Sequence, residues 1–342
     1  MASFSQFGND LYTGKRSINI VNRRKLWYLI AGAMILIAVL GPFARGGFVF
    51  GIEFTGGSEF VVTEVADSNQ DAAAAAVESI VPESVPKISS VGESEIRIQT
   101  DQLTSDDTRA VRNALAAAYD VPQSEVAASF IGPSWGADIT GQAIRALIVF
   151  LVLAGIVMAV YFRTWKMSAA AMVALLHDLV ITAGFYGITG FEITPAAVIG
   201  FLTILGYSLY DTVVVFDKIR ENTMEDGSES RRTFAESVNL AVNQTLVRSI
   251  NTSVVAALPV ASILVIGAFV LGAGTLRDIS LALLIGILVG TYSTIFIAAP
   301  FYSQLRTREP EIQRRDKRAT AAREQAEAVT AKADKASANV TA

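Results

Sequence analysis

The chain contains no cysteine and a single histidine among 342 residues, and only 18% of its residues are charged. The missing thiols exclude disulfides, thiolate metal sites, iron–sulfur clusters and cysteine nucleophiles. One histidine is too few for a histidine-built zinc site. A soluble domain of this size carries about 25% charged residues, so the shortage of charge argues against a soluble enzyme. No nucleophile–base constellation stands out, and neither a cofactor nor nucleic acid is expected. Gly8 to Lys15 imitates a phosphate-binding loop, but five residues rather than four separate its glycines. Arg16 also stands where Ser or Thr is needed, and no strand precedes the segment.

What the chain has instead is apolar length: 52% hydrophobic residues and a mean hydropathy of +0.44, gathered into long uncharged runs. A bilayer core about 30 Å thick is crossed by roughly 20 helical residues. Six such spans are predicted, at 26–46, 139–162, 167–190, 193–217, 249–272 and 278–303. The first resembles a secretory leader, yet Gly41-Pro42-Phe43-Ala44-Arg45 lacks a small-x-small cleavage site, so it is read as an uncleaved anchor. Lys and Arg accumulate on the cytoplasmic side of membranes. Of the 28 basic residues, all but Arg45, Lys87, Arg97, Arg109, Arg112, Arg145 and Arg277 fall on the side of the termini. Segment 47–137 holds 14 acids against four bases. Both termini are therefore expected in the cytoplasm. Segments 1–25, 218–247 (a loop) and 304–342 (a low-complexity tail) would share that side. The tail reads as a frayed helix or disordered stretch whose basic clusters attract anionic lipid headgroups.

Segment 47–137 should form one extracytoplasmic domain. Phe60 to Val65, Pro86 to Val91, Glu95 to Thr100 and Glu125 to Ile131 read as strands. Asp71 to Ile80 and Ser105 to Tyr119 are alanine-rich and helical, with polar capping residues before them. The resulting β-α-β-β-α-β order predicts a ferredoxin-like α+β sandwich.

A charge inside a bilayer costs about 2.5–3.5 kcal/mol on insertion scales, so intramembrane ionisable groups are functional candidates. Asp211 in the fourth span is the foremost. At about 100° per residue, Gly200, Thr203, Tyr207 and Asp211 share an arc of about 80°. The next span opens with Thr245, Arg248 and Thr252 on one face and Asn251 beside them. A contact between Asp211 and Arg248 is expected. It would keep Asp211 ionised while Arg248 is near and favour proton uptake when Arg248 withdraws, linking protonation to conformation. The alternative is a static structural ion pair. His177-Asp178 in the third span is a second candidate relay, although neighbours about 100° apart on a helix are expected not to bond each other. The bland alternative for this pair is a satisfied polar contact. Arg145 reads as snorkelling to the outer interface. Glu192 and Asp278, at helix ends, read as solvated charges. Gly51-Ile52-Glu53-Phe54-Thr55-Gly56-Gly57-Ser58 is either a fixed junction passing motion to the outer domain or an ordinary glycine-rich turn. Asn251-Thr252-Ser253 has glycosylation spacing but lies at the membrane, and is discarded.

Gly206-Tyr207-Ser208-Leu209-Tyr210-Asp211-Thr212-Val213-Val214-Val215-Phe216-Asp217, continuing to Asn222, resembles the fourth-helix signature of the SecF family. Gly51 to Gly57 resembles that family's outer junction, and Ile131-Gly132-Pro133-Ser134 its entry to the second span. Leu176-His177-Asp178 and Arg248 to Ser253 match as well. Glu53 replaces the family's usual Asp, and Tyr210 stands where Asn is common. The resemblance implies six transmembrane helices of RND type, a complex with SecD and association with the SecYEG channel. It implies that the proton-motive force drives unfolded preproteins after the ATPase SecA has acted, so that SecA is an indirect partner. It assigns proton coupling to Asp211 and Arg248, and implies no nucleotide or hydrolytic site. An RND-type exporter half for small molecules or lipids is the nearest rival, and a non-coupling scaffold with an outer binding domain the next.

Overall fold

The computed structural model describes residues 4–67, 69–91, 94–225, 232–267 and 274–340. The terminal-side elements are α1 (Phe4–Tyr12) and α2 (Arg24–Ala44), the latter the first span. A one-turn helix α3 (Ile52–Thr55) leads into β1 (Gly57–Val62), α4 (Gln70–Glu78), β2 (Lys87–Val91), β3 (Glu95–Thr100), α5 (Ser105–Ala118) and β4 (Val126–Ile131). The strands order as β2-β3-β1-β4, every neighbouring pair antiparallel, which is the sheet of the predicted sandwich. Asn69 caps α4 by accepting from the Asp71 amide, and Thr104 caps α5 by accepting from that of Asp107. One face of the sheet buries Phe60, Val62, Ile96 and Ile98 under the two helices, around Val111 and Leu115. Pleating turns Glu59, Arg97 and Gln99 to the other face.

The remaining helices are α6 (Pro133–Phe162), α7 (Trp165–Thr189), α8 (Pro195–Glu225), α9 (Phe234–Val265), α10 (Gly274–Ser293), α11 (Ala299–Arg306) and α12 (Pro310–Val340). A π-helical segment, Thr294–Ala298, joins α10 to α11. Among the described residues, six helices are long and apolar enough to cross a membrane: α2, α6, α7, α8, α9, and α10 with its continuation to Arg306. Helices α7 and α10 lie at the centre, while α6 turns Ile148, Val152, Ile156 and Val160 outward. Between helices in lipid, small residues permit the close backbone approach that drives packing. Gly184 sits against Ala38, Gly200 against Ala282, and Gly286 against Ile204.

Three expectations need correction. Segment 218–247 is not a loop, because α8 runs to Glu225 and α9 begins at Phe234. A capping box, Thr233 with Glu236, starts α9 far ahead of its apolar stretch. The tail takes the helical of its two expected forms over Pro310–Val340, but its first half is docked on α9 rather than frayed: Asp316 accepts from the Phe234 amide at 2.7 Å, Arg323 pairs with Glu236 at 3.0 Å, and Ile312 is buried. Spans also begin or end several residues from the expected positions, α6 starting at Pro133 inside the supposed outer domain. Residues 268–272 of the predicted fifth span lie outside the described residues.

Candidate functional site

Two groups of polar residues stand where a hydrophobic bundle should not tolerate them. The first lies inside. Asp178 on α7 is 1% exposed, and its Oδ2 accepts from Ser208 Oγ of α8 at 2.6 Å and from Ser293 Oγ of α10 at 2.9 Å. The backbone of α10 comes this close because residue 290 is glycine: a Cβ there would stand 3.1 Å from Ser208 and 3.5 Å from Asp178 Oδ2. One turn further along α8, Thr212 shares a hydroxyl contact of 2.9 Å with Thr294, the first residue of the π segment. Single π turns inside α-helices recur at functional sites.

His177 corrects an expectation. Its Nδ1 stands 3.2 Å from Asp178 Oδ1, so the two neighbours do meet. The 100° between their Cβ directions is spanned by side chains that both bend into the gap between α7 and α10. The His177 ring also stacks near Tyr292, with centroids 6.0 Å apart.

Asp211 is 6% exposed. Its Oδ1 accepts from Ser249 Oγ of α9 at 2.9 Å, while its Oδ2 is buried and meets no donor among the described residues. The expected contact with Arg248 is absent: among the described residues no ion pair within 4 Å joins them. Arg248 is exposed and lines a cavity of about 400 Å³ toward the terminal side, with Tyr12, Asp217, Lys218, Glu221 and Gln244. Consecutive residues on α9 point apart, so Ser249 faces Asp211 and Arg248 turns away. The predicted stripe divides in the same manner. Gly200 packs on α10, Thr203 is exposed and donates to the Ile199 carbonyl, and Tyr207 has a buried hydroxyl near Ser253 but outside hydrogen-bonding geometry. Asn251 is exposed, and Thr252 donates to the Arg248 carbonyl.

The second group lies where the sheet meets the bundle. Arg97 of β3 stands 3.7 Å from Glu59 of β1 and 3.3 Å from Glu192 between α7 and α8. Gln99 donates to both carboxylates. Desolvation works against the Arg97 charge, but Glu59, Glu192 and Asp278 outweigh it and hold the guanidinium more firmly protonated than usual. Asp278 is 4% exposed, pairs with Arg277 at 3.1 Å and accepts from Thr194 at 2.9 Å. Glu192 and Asp278 are thus built into the structure, not solvated. Sequence reasoning missed them, together with Ser208, Ser249 and Ser293. The signal available was the run Glu59, Arg97, Gln99 on a face that a one-sided sheet leaves to be covered.

The glycine-rich junction is anchored to the same place. The Gly51 amide donates to the Ile193 carbonyl at 3.0 Å, and that of Ile193 to Val49 at 2.8 Å, forming an isolated parallel bridge. Gly56 and Gly57 have φ of +75° and +136°, and a Cβ on Gly57 would strike the Thr100 carbonyl. Glu53 is half-buried, and burial first, then the charges of Glu59 and Glu192, pushes its carboxyl above the ordinary range.

Comparison with known proteins adds to this geometry. A family model described as protein export membrane protein SecD/SecF, C-terminal, matches residues 111–308. The protein translocase subunit SecF of Mycobacterium tuberculosis is 43% identical over 316 residues, covering 88% of this chain and 70% of the relative. That of Streptomyces coelicolor is 42% identical over 328 residues, covering 95% and 86%. The crystal structure of SecDF, a translocon-associated membrane protein from Thermus thermophilus, superposes with a TM-score of 0.73 at 29% identity. It covers 86% of this chain, which spans about two-fifths (39%) of that one.

Proposed function

The chain belongs to the SecD/SecF family of protein export membrane proteins, and on that premise we propose that it is a proton-driven SecF subunit. With a SecD partner it would use the proton-motive force to complete preprotein movement across the plasma membrane, beside the SecYEG channel and after SecA-driven steps. Its termini would lie in the cytoplasm, where its basic residues gather.

Asp211 carries the reading. A buried carboxylate with one hydroxyl partner and one unengaged oxygen is poorly compensated when ionised. Arg248, one residue from Ser249, is the nearest cation on the facing helix, and a modest turn of α9 changes how far it compensates Asp211. Protonation and helix position are then two readings of one equilibrium, which an external proton gradient can drive around a cycle. One elementary charge crossing the membrane field is worth about 2.3 kcal/mol per 100 mV. The outer domain follows the helices because Arg97, Glu192 and the Gly51–Ile193 bridge clamp it to the loop between α7 and α8.

The test is proton-driven completion of a trapped translocation intermediate in membrane vesicles, with ATP-driven movement blocked. Wild type should complete it, and Asp211→Asn at matched expression should not. Completion by both would move the proton path away from Asp211, and completion by neither would favour the scaffold. Efflux of a small molecule or lipid without preprotein movement would favour the exporter half.

A further inference from the structure

We infer that Asp178 is a second proton-binding group of the bundle, loaded through His177 and read by the helix that follows Ser293. The inference rests on the proton-driven reading but concerns a different carboxylate, on a different helix, from the one that carries it.

The geometry supplies an entry, a store and a readout. The entry is an open cavity of about 580 Å³ between α2, α7 and the α10–α11 helix, lined by Tyr28, Gly32, Leu176, His177, Ile297 and Phe301. His177 is 4% exposed, and its Nε2 meets no hydrogen-bond partner among the described residues. Its other nitrogen stands 3.2 Å from Asp178. A proton taken up on Nε2 makes an imidazolium, which gives its Nδ1 proton to Asp178 Oδ1. The ring is left neutral with its hydrogen on Nε2, and Asp178 becomes an uncharged acid. One proton has entered and one negative charge has been neutralised. Tyr28 and Gln304 are the other polar side chains lining the cavity, and Nε2 itself is buried without a partner among the described residues, so this nitrogen has no structural duty there that an aliphatic side chain would not perform better.

The store is Asp178 itself. As a carboxylate it accepts from Ser208, Ser293 and the histidine, and no lysine or arginine among the described residues lies within 4 Å of it. Hydroxyls donate or accept by rotating, so this cradle accommodates both charge states without losing a counter-ion. The titratable groups brought near by packed helices are Tyr28 of α2, Tyr292 of α10 and, a turn away on α8, Asp211. On α6, Asp138 and Arg145 lie toward the sheet-bearing end, and on α11, Tyr302 and Arg306 toward the opposite end.

The readout is Ser293. Its hydroxyl already divides between Asp178 Oδ2 at 2.9 Å and the Gly290 carbonyl at 3.2 Å. Protonation of Asp178 weakens the first acceptor, and the second stands ready. Ser293 immediately precedes the π segment, whose first residue bonds Thr212 of α8. Shifting Ser293 between its two acceptors therefore acts at the irregular turn of α10, where a change of register costs least.

Infrared difference spectra of the membrane-reconstituted complex, taken between two pH values, read protonated carboxyl groups directly. Wild type should show a buried carboxylic-acid band that Asp178→Asn removes and Asp211→Asn leaves in place. His177→Gln should keep the band and slow its appearance after a pH jump. If Asp178→Asn fails to assemble, the Ser208→Ala/Ser293→Ala variant retains the acid and should shift its band frequency, because the carbonyl stretch responds to hydrogen bonding. Persistence of every band in Asp178→Asn, or no frequency change in the serine variant, overturns the assignment. Unchanged kinetics in His177→Gln overturn the entry step. In the vesicle assay Asp178→Asn should lose proton-driven completion. Loss in Asp211→Asn with full retention in Asp178→Asn refutes this inference and leaves the parent reading intact. The infrared measurement decides Asp178 even if wild-type translocation proves independent of protons.

Discussion

Where the sheet meets the bundle, Glu59 and Glu192 face the guanidinium of Arg97, and Asp278 faces Arg277. In the bundle interior Asp178 and Asp211 face serine hydroxyls, and no arginine or lysine among the described residues reaches them within 4 Å. A guanidinium does not give up its proton in proteins, so the first arrangement gives its carboxylates a permanent counter-charge. A hydroxyl serves either charge state of a carboxyl, so the second leaves the charge free to change. The two regions use the same acids for opposite purposes: the arginine-held ones anchor the sheet domain to the helices, and the serine-held ones can respond. Removing a partner should therefore be costly at the anchor and cheap in the interior.

The largest effect is expected at Arg97. Removing one partner of a buried ion pair costs about 3–5 kcal/mol, and the 12–16% exposure of these side chains places Arg97→Ala near the low end of that range. Thermal unfolding of the purified complex should show the loss. The double variant Arg97→Ala/Glu192→Gln should recover part of it, because one stranded charge is gone. A single variant as stable as wild type would break the comparison at its firm end.

Next comes packing. An alanine Cβ at Gly184 would strike the Ala38 backbone, which cannot move aside as a side chain end can. Overpacking of this kind costs typically about 1–3 kcal/mol. Gly184→Ala should lower thermal stability accordingly, whereas Gly206→Ala, with no neighbouring atom within 4 Å, should not. This pair calibrates the scale on which the carboxylates are judged.

The contrast between hydroxyl-held and arginine-held acids was only half legible in the sequence. Long uncharged runs displayed the six spans, because hydropathy is a local property, and strand alternation displayed the sandwich. Asp211 stood out as a charge in an apolar run, and so did His177 and Asp178. Their partners did not, since Ser208, Ser249 and Ser293 carry no hydropathy signal and are ordinary in membrane helices. Glu192 and Asp278 were misjudged for a related reason. A charge at a helix end reads as solvated until something covers it, and Arg97 is 95 residues from Glu192 in the chain. For Arg248 only the expected direct contact with Asp211 is missing. Spacing put it on the right helix in the right turn, but the facing position went to its neighbour Ser249. Proximity along a helix fixes a face only to within one residue's rotation.

A smaller effect is expected from Asp178→Asn on stability alone. The amide keeps the shape and can donate to or accept from both serines, so the change should stay within about 1 kcal/mol, the usual net worth of one hydrogen bond. Thermal unfolding beside Arg97→Ala makes the test. A loss as large as that of Arg97→Ala would mean that the interior acid is an anchor too.

Glu53 sharpens the comparison most finely, because it sits at the arginine end without an arginine of its own. Burial, reinforced by Glu59 and Glu192, raises its carboxyl above the ordinary value near 4.5, and its own backbone hydrogen bond and Arg97 only partly offset this. The folded state then holds a proton that the unfolded chain has released. By linkage, stability falls as pH rises from about 4.5 through the folded-state value and levels off above it. Glu53→Gln removes that slope. The variant should match wild type at acid pH and become slightly the more stable of the two as pH rises, read as a difference in unfolding temperature across a pH series. A flat difference would mean that Arg97 already compensates Glu53 as fully as it does Glu59 and Glu192. The boundary between fixed and responsive acids would then lie inside the membrane helices rather than at the junction.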